Sequence, residues 1–200
     1  MTQSIESKIV RRIVRSSVKK VFFATDFVDL GSGKAINKAL ERLSVAGKLH
    51  RVSHGIYIPI SAKASDFPHT PDIDEIVLSI AARDKARLLP TGSYALYKLG
   101  LTTQVPMRIV YYTDGSPRRL KIGNYQITFK KASAKRLALK GQLSKLVIQA
   151  LRDIGKSEAS GEMIAKLRER LKGEDPVLIK HDLALAPEWI RKLLGNGEVR

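Results

Sequence analysis

The chain has 200 residues, with 36 Lys and Arg against 19 Asp and Glu, a formal net charge of +17 and no cysteine. Its 44% hydrophobic and 28% charged content is ordinary for a globular protein and excludes wholesale disorder. The lack of cysteine excludes a disulfide scaffold, thiolate zinc sites and iron–sulfur clusters, and it suits a reducing cytoplasm.

The longest stretch free of Lys, Arg, Asp and Glu, Val52–Ala62, is 11 residues, whereas a spanning helix needs ~20. The N-terminal MTQSIESKIVRR lacks the apolar core of a signal peptide. No membrane association is expected, and the excess charge points to nucleic acid. Residues 1–60 hold 11 basic and 4 acidic residues, a net of +7. Residues 61–140 carry +8 from 14 and 6, and residues 141–200 only +2 from 11 and 9.

Ile5, Ile9, Val10, Ile13 and Val14 recur at helical spacing and predict an amphipathic helix over residues 4–17, with Lys8, Arg11, Arg12 and Arg15 as a basic stripe. Val21–Ala24 is a short β-like run. Thr25 or Asp26 caps a predicted short helix over Asp26–Leu30, and Gly31-Ser32-Gly33 is a turn. Ala35, Ile36, Ala39, Leu40 and Leu43 then predict a helix over Lys34–Ala46 that Gly47 stops. Leu49–Val52 and Ile56–Pro59 flank Ser53-His54-Gly55 as a hairpin with a three-residue loop.

This order of helix, strand, helix, turn, helix and hairpin is that of a winged helix-turn-helix. The last helix suits a major groove ~12 Å wide. The expected DNA contacts are Thr25, Ser32, Lys34, Asn37, Lys38 and Arg42, with Arg51 and His54 near the hairpin tip. Asn37 is the candidate adenine reader, because its amide bonds N6 and N7 together.

Ser61–Pro71 (SAKASDFPHTP) reads as a linker. The expected domains are therefore residues 1–62, a winged helix, and 63–200, an α+β unit whose part from about 141 is helical. After the linker, Pro71-Asp72 caps a helix bearing Ile73, Ile76, Val77, Ile80 and Ala81. Arg87–Leu89 is a short apolar run, and Thr91-Gly92-Ser93 opens a short helix over Tyr94–Leu99. Strands are predicted over Met107–Thr113, Arg118–Ile122 and Tyr125–Lys131, joined by Asp114-Gly115-Ser116-Pro117 and Gly123-Asn124 as an antiparallel meander. The overall expectation is an α+β fold.

Gly47, Leu49, Arg51, Val52, Gly55 and Tyr57, followed by Gly92, Ser93, Ala95, Leu96, Gly100, Leu101 and Thr102 and then by the strands, form a pattern over residues 20–135. It resembles the AbiEi antitoxins of bacterial abortive-infection systems. The resemblance implies a cytoplasmic DNA-binding antitoxin of a type IV toxin–antitoxin operon. Such a protein represses its own promoter through inverted repeats in double-stranded DNA. It also counteracts a nucleotidyltransferase-like toxin without forming a stable complex with it.

Catalytic constellations do not assemble in the sequence. A nucleotidyltransferase needs Gly-Ser followed by a strand-borne acidic pair that holds Mg²⁺. Here Asp72 and Asp74 precede Gly92-Ser93, and Asp114 stands alone. Asp114 is followed by Arg118-Arg119-Leu120-Lys121, with no carboxylate before the lysine, which departs from the PD-(D/E)xK nuclease pattern. Ser93 lacks a Gly-x-Ser-x-Gly elbow, and His50, His54, His69 and His181 are scattered. The expectation is no enzyme, no catalytic residue, no metal and no cofactor. The alternatives are an RNA-associated binding protein and a metal-dependent nucleic-acid enzyme. Arg118, Arg119, Lys121, Lys130 and Lys131 form a candidate second basic surface, with Lys135, Arg136 and the tyrosines 111, 112 and 125 nearby.

The last third predicts four helices. Leu143–Ile154 ends at Gly155, Ser160–Leu171 follows, Asp175-Pro176 starts the third, and Pro187–Leu194 carries Trp189 as a core residue.

Overall fold

The apolar spacings of the first sixty residues fold into local elements close to those expected. The computed structural model describes residues 4–16, 20–60 and 71–195. All of the linker except Pro71 lies outside the described residues. The fold is mixed α+β with two sheets, and the chain divides into two compact units, Met1–Ile80 and Ala81–Arg200.

In the first unit, helix α1 (Ile5–Arg15) starts where the Ser4 hydroxyl accepts the Ser7 N–H. Strand β1 (Phe22–Phe23) leads into a 3-10 helix over Ala24–Leu30, and the Asp26 carboxylate accepts the Phe23 N–H at 2.8 Å. Helix α2 (Gly33–Val45) is capped by Ser32, whose side chain accepts the Ala35 N–H. Strands β2 (Leu49–Ser53) and β3 (Ile56–Pro59) close a sheet of order β1-β3-β2. Their loop is the two residues His54-Gly55 rather than three, because Ser53 pairs with Ile56 across a register shift after Arg51. Gly55 takes φ +70°, a conformation that costs a side-chain-bearing residue ~1 kcal/mol or more. Ile9, Ile13, Phe22, Phe27, Ile36, Leu40, Leu43, Leu49 and Tyr57 form the core of this unit.

Helix α3 (Ile73–Arg83) runs across the division between the units. The second unit then holds β4 (Leu88–Thr91), α4 (Ser93–Lys98), β5 (Arg108–Thr113), β6 (Arg118–Ile122) and β7 (Tyr125–Lys131). Their order is β4-β5-β7-β6, with β5 and β7 parallel. The expected antiparallel meander is therefore wrong. Only β6 and β7 form a hairpin, through Gly123-Asn124, and β7 inserts beside β5. The physical reason lies in the side chains. Strands β5 and β7 each bury an apolar row, Ile109 and Tyr111 on one and Ile127 and Phe129 on the other. Strand β6 carries exposed Arg119 and Lys121, which suit an edge.

Helices α5 (Gln142–Ile154), α6 (Gly161–Leu171), α7 (Pro176–Leu185) and α8 (Glu188–Gly195) match the four expected in the last third. They share a core with α4 built from Ala95, Leu99, Val147, Ile148, Leu151, Leu167, Leu171, Ile179, Ile190 and Leu194. Trp189 is half-buried against it. No helix among the described residues is long and apolar enough to cross a membrane.

Candidate nucleic-acid interface

The two faces of α2 have opposite chemistry. Ile36, Ala39, Leu40 and Leu43 are buried, while Lys34, Asn37, Lys38, Glu41 and Arg42 are exposed. Lys34, Asn37, Lys38 and Arg42 follow i, i+3, i+4 and i+8 spacing and share the outer side of one helix. Ser32 is exposed at its N-terminus, where free N–H groups and the helix dipole favour an anion. Arg42 is not free: its Nη1 pairs with Glu6 Oε1 at 2.9 Å. Thr25 is exposed on the preceding 3-10 helix. At the hairpin, exposed Arg51 and His54 meet each other through Arg51 Nη2 and His54 Nδ1 at 3.0 Å.

The basic stripe of α1 is partly spent on structure. Arg12 makes a two-pronged contact with Asp29, with bonds of 2.6 and 2.5 Å, and donates to the Asp26 carbonyl at 2.7 Å. It also lies 6.0 Å from the Phe27 ring centre. The Arg12 hydrogen bonds hold the Asp29 carboxyl below its ordinary range. A lowered folded-state value means this contribution is complete above the ordinary aspartate range and is lost as the pH falls through the folded value. Arg12→Ala is therefore expected to lower the melting temperature by a few degrees at neutral pH, and the gap should close in acid. Arg11→Ala, exposed on the same helix, should melt like the parent in the same scan.

In the second unit the pleat divides the candidate basic surface. Arg118 and Lys131 lie on the same face as Tyr111, Ile127 and Phe129. Arg118 is bound to Asp84, which also accepts from Arg83 Nε at 2.8 Å, and its guanidinium sits 5.2 Å from the Phe129 ring centre. Burial opposes ionisation of Asp84, but hydrogen bonds from the two guanidiniums win and hold its carboxyl below the ordinary range. Lys131 Nζ donates to the Asp114 carbonyl at 2.6 Å. Arg119, Lys121 and Lys130 lie on the opposite face and are exposed. That face also carries exposed Arg108, which the sequence reading did not select. Its signal was the period-2 register with Gln126.

A family model described as a family of unknown function, DUF6088, matches residues 8–179. The chain belongs to that family. No curated protein matches it. Among solved structures it is similar to the crystal structure of RV2827C protein from Mycobacterium tuberculosis, at 16% identity and a TM-score of 0.47. The match covers 98% of this chain and 82% of that one.

In this DUF6088 member, the carboxylates weighed for catalysis are engaged or apart. Asp114 accepts the Arg87 N–H at 2.7 Å and Arg87 Nε at 2.8 Å, and these bonds hold its carboxyl below the ordinary range. Asp72 accepts the Glu75 N–H as a helix cap. No group of three His, Asp or Glu side chains among the described residues could hold a metal.

Proposed function

We propose that the chain is a duplex-DNA-binding autorepressor of the antitoxin type, with a winged helix-turn-helix as its reading head. The observation that carries this reading is the outer side of α2, where Lys34, Asn37 and Lys38 stand exposed beside a Ser32-capped N-terminus. An α-helix of this kind fits a major groove. There a carboxamide at position 37 bonds an adenine edge, and flanking lysines meet phosphate or guanine. The three-stranded β1-β3-β2 arrangement supports reading β2–β3 as the wing, with Arg51 and His54 at its tip. The charge of +7 on the first sixty residues favours a polyanion. The second role, counteracting a nucleotidyltransferase-like toxin without a stable complex, rests on the resemblance to the AbiEi antitoxins alone.

The test is binding to DNA from upstream of the chain's own reading frame, followed by fluorescence anisotropy against a scrambled duplex of equal length. About five phosphate contacts predict a log–log salt slope near ~−4.5. Preference for the upstream duplex by ~1,000-fold or more is the expected result. Equal affinity for both duplexes overturns the assignment.

A further inference from the structure

Strands β5, β6 and β7 contain no carboxylate. Their pairing register builds the outward face row by row. In one row Arg108 and Lys121 flank Gln126. In the next, Arg119, Thr128 and Val110 stand side by side, and in the third Lys130 is beside Tyr112. With strands ~4.8 Å apart and alternate residues ~6.8 Å apart along each strand, the four cations ring an area of about 10 by 14 Å. All four are exposed, and none is in an ion pair among the described residues. Edge protection accounts for Arg119 and Lys121 on β6. It does not account for Lys130 and Arg108, which sit on the two central strands.

A second cluster borders this face. The Arg136 guanidinium lies 3.9 Å from the Tyr112 ring centre and donates to Gln149 Oε1 at 3.1 and 3.3 Å. Arg152 of α5 stands close to both Arg136 and Tyr112. Burial, then repulsion by Arg136, pushes its guanidinium below the ordinary range.

We propose that the exposed β5–β7–β6 part of this face, beside the β4 margin where Leu89 and Thr91 are buried, binds single-stranded RNA, with Arg108, Arg119, Lys121 and Lys130 on phosphates. The charge complementarity calls for a polyanion. The layout, with the four cations around Gln126, Thr128 and Val110 and the Arg136–Tyr112 stack at one border, suits a flexible strand more than a rigid duplex. Bases of a single strand lie against such a platform while its backbone follows the rim. The Thr128 hydroxyl and Gln126 amide supply neutral partners for the ribose 2′-hydroxyl, which DNA lacks. This site lies wholly in the second unit and does not rest on the reading of α2.

The experiment uses the full chain and a fluorescent 12-nucleotide oligouridylate, followed by anisotropy at 50 to 200 mM salt. Four contacts give a slope near about −2.8, so affinity should fall about 50-fold over that range. The triple variant Arg119→Gln, Lys121→Gln, Lys130→Gln keeps size and polarity, and it should bind at least about 30-fold more weakly at 50 mM salt with an unchanged melting temperature. Single substitutions Lys130→Gln and Arg108→Gln should each lose a smaller part of the same affinity, which preserves the test if the triple variant melts early. Lys38→Glu should bind the oligomer as the parent does. Parent-like affinity in the Gln variants, or loss in Lys38→Glu, overturns the proposal. So does equal binding of the 2′-deoxy oligomer, or competition by polyglutamate as effective as that by unlabelled RNA.

Discussion

A Lys38→Glu, Arg51→Glu double variant is expected to bind the upstream duplex at least on the order of 1,000-fold more weakly than the parent at 0.1 M salt, with an unchanged melting temperature. Both side chains are exposed, one on the outer side of α2 and one on β2. Neither contributes to the core, and the Arg51 guanidinium meets the His54 ring at the hairpin tip. Each reversal removes one favourable phosphate contact and adds one repulsive charge, so the effective count falls from about five to about one. At ~0.9 logarithmic unit per contact per tenfold change in salt, four lost contacts give the stated factor. The salt slope should flatten with it, to near ~−0.9. Arg42→Glu is the informative contrast. Arg42 is paired with Glu6, so its reversal should also lower the melting temperature, and lost binding there would mix fold with contact. A double variant that keeps the parent's affinity and slope would move the interface away from α2 and the hairpin.

Asp182→Ala should lower the stability of the second unit by about 3 kcal/mol, a melting shift of roughly 12 °C for a unit of this size. Asp182 is fully buried on α7. It accepts from the Lys140 N–H at 2.8 Å, the Gly141 N–H at 2.9 Å, the Ser144 hydroxyl at 2.5 Å and His181 Nδ1 at 2.8 Å. Glu174 completes the arrangement by accepting the Leu143 N–H at 2.6 Å. Together the two carboxylates satisfy the N–H groups of Lys140 and Gly141 just before α5 and that of Leu143 in its first turn, which has no partner within the helix. They also place negative charge at the positive end of its dipole. Alanine leaves buried donors without an acceptor, at ~1–3 kcal/mol for each, less than additively. Burial alone would raise the Asp182 carboxyl, but its four donors win and hold it below the ordinary range. The folded state thus binds that proton less readily than the unfolded chain. The stabilisation is complete above the ordinary aspartate range, near ~3.9, and is lost as the pH falls through the lower folded value. Thermal melts of parent and variant from pH 7 to pH 3 should draw closer at the acid end. Identical melting of the two at pH 7 would show that the cap is not needed.

The local elements were legible from the sequence because their signals are local. Spacings such as Ile36, Leu40 and Leu43, the turn signal at Ser53-His54-Gly55 and the Asp175-Pro176 start each act within a few residues. The outer side of α2 could be read for the same reason, since helical spacing alone separates Lys34, Asn37 and Lys38 from the buried row. The hairpin loop is one residue shorter than the sequence suggests, because a bulge depends on how β2 meets β3. Strand order in the second sheet was misread for a similar reason. A four-residue connector after β5 looks like a hairpin turn, yet Asp114 is anchored to Arg87 and Lys131, and β7 takes the place beside β5.

The sequence by itself determined the excess of positive charge, its concentration in the first 140 residues, the helices and strands and the apolar side of each. Tertiary structure decided which cations are neutralised and which are left open. Arg12 meets Asp29, Arg118 meets Asp84 and Arg87 meets Asp114, pairs separated by 17, 34 and 27 residues. Periodicity carries no information over such distances, because ion pairs and strand neighbours form only once the backbone has brought remote segments together. The same folding step left Arg108, Arg119, Lys121 and Lys130 on one carboxylate-free face, two of them on central strands and two on the edge.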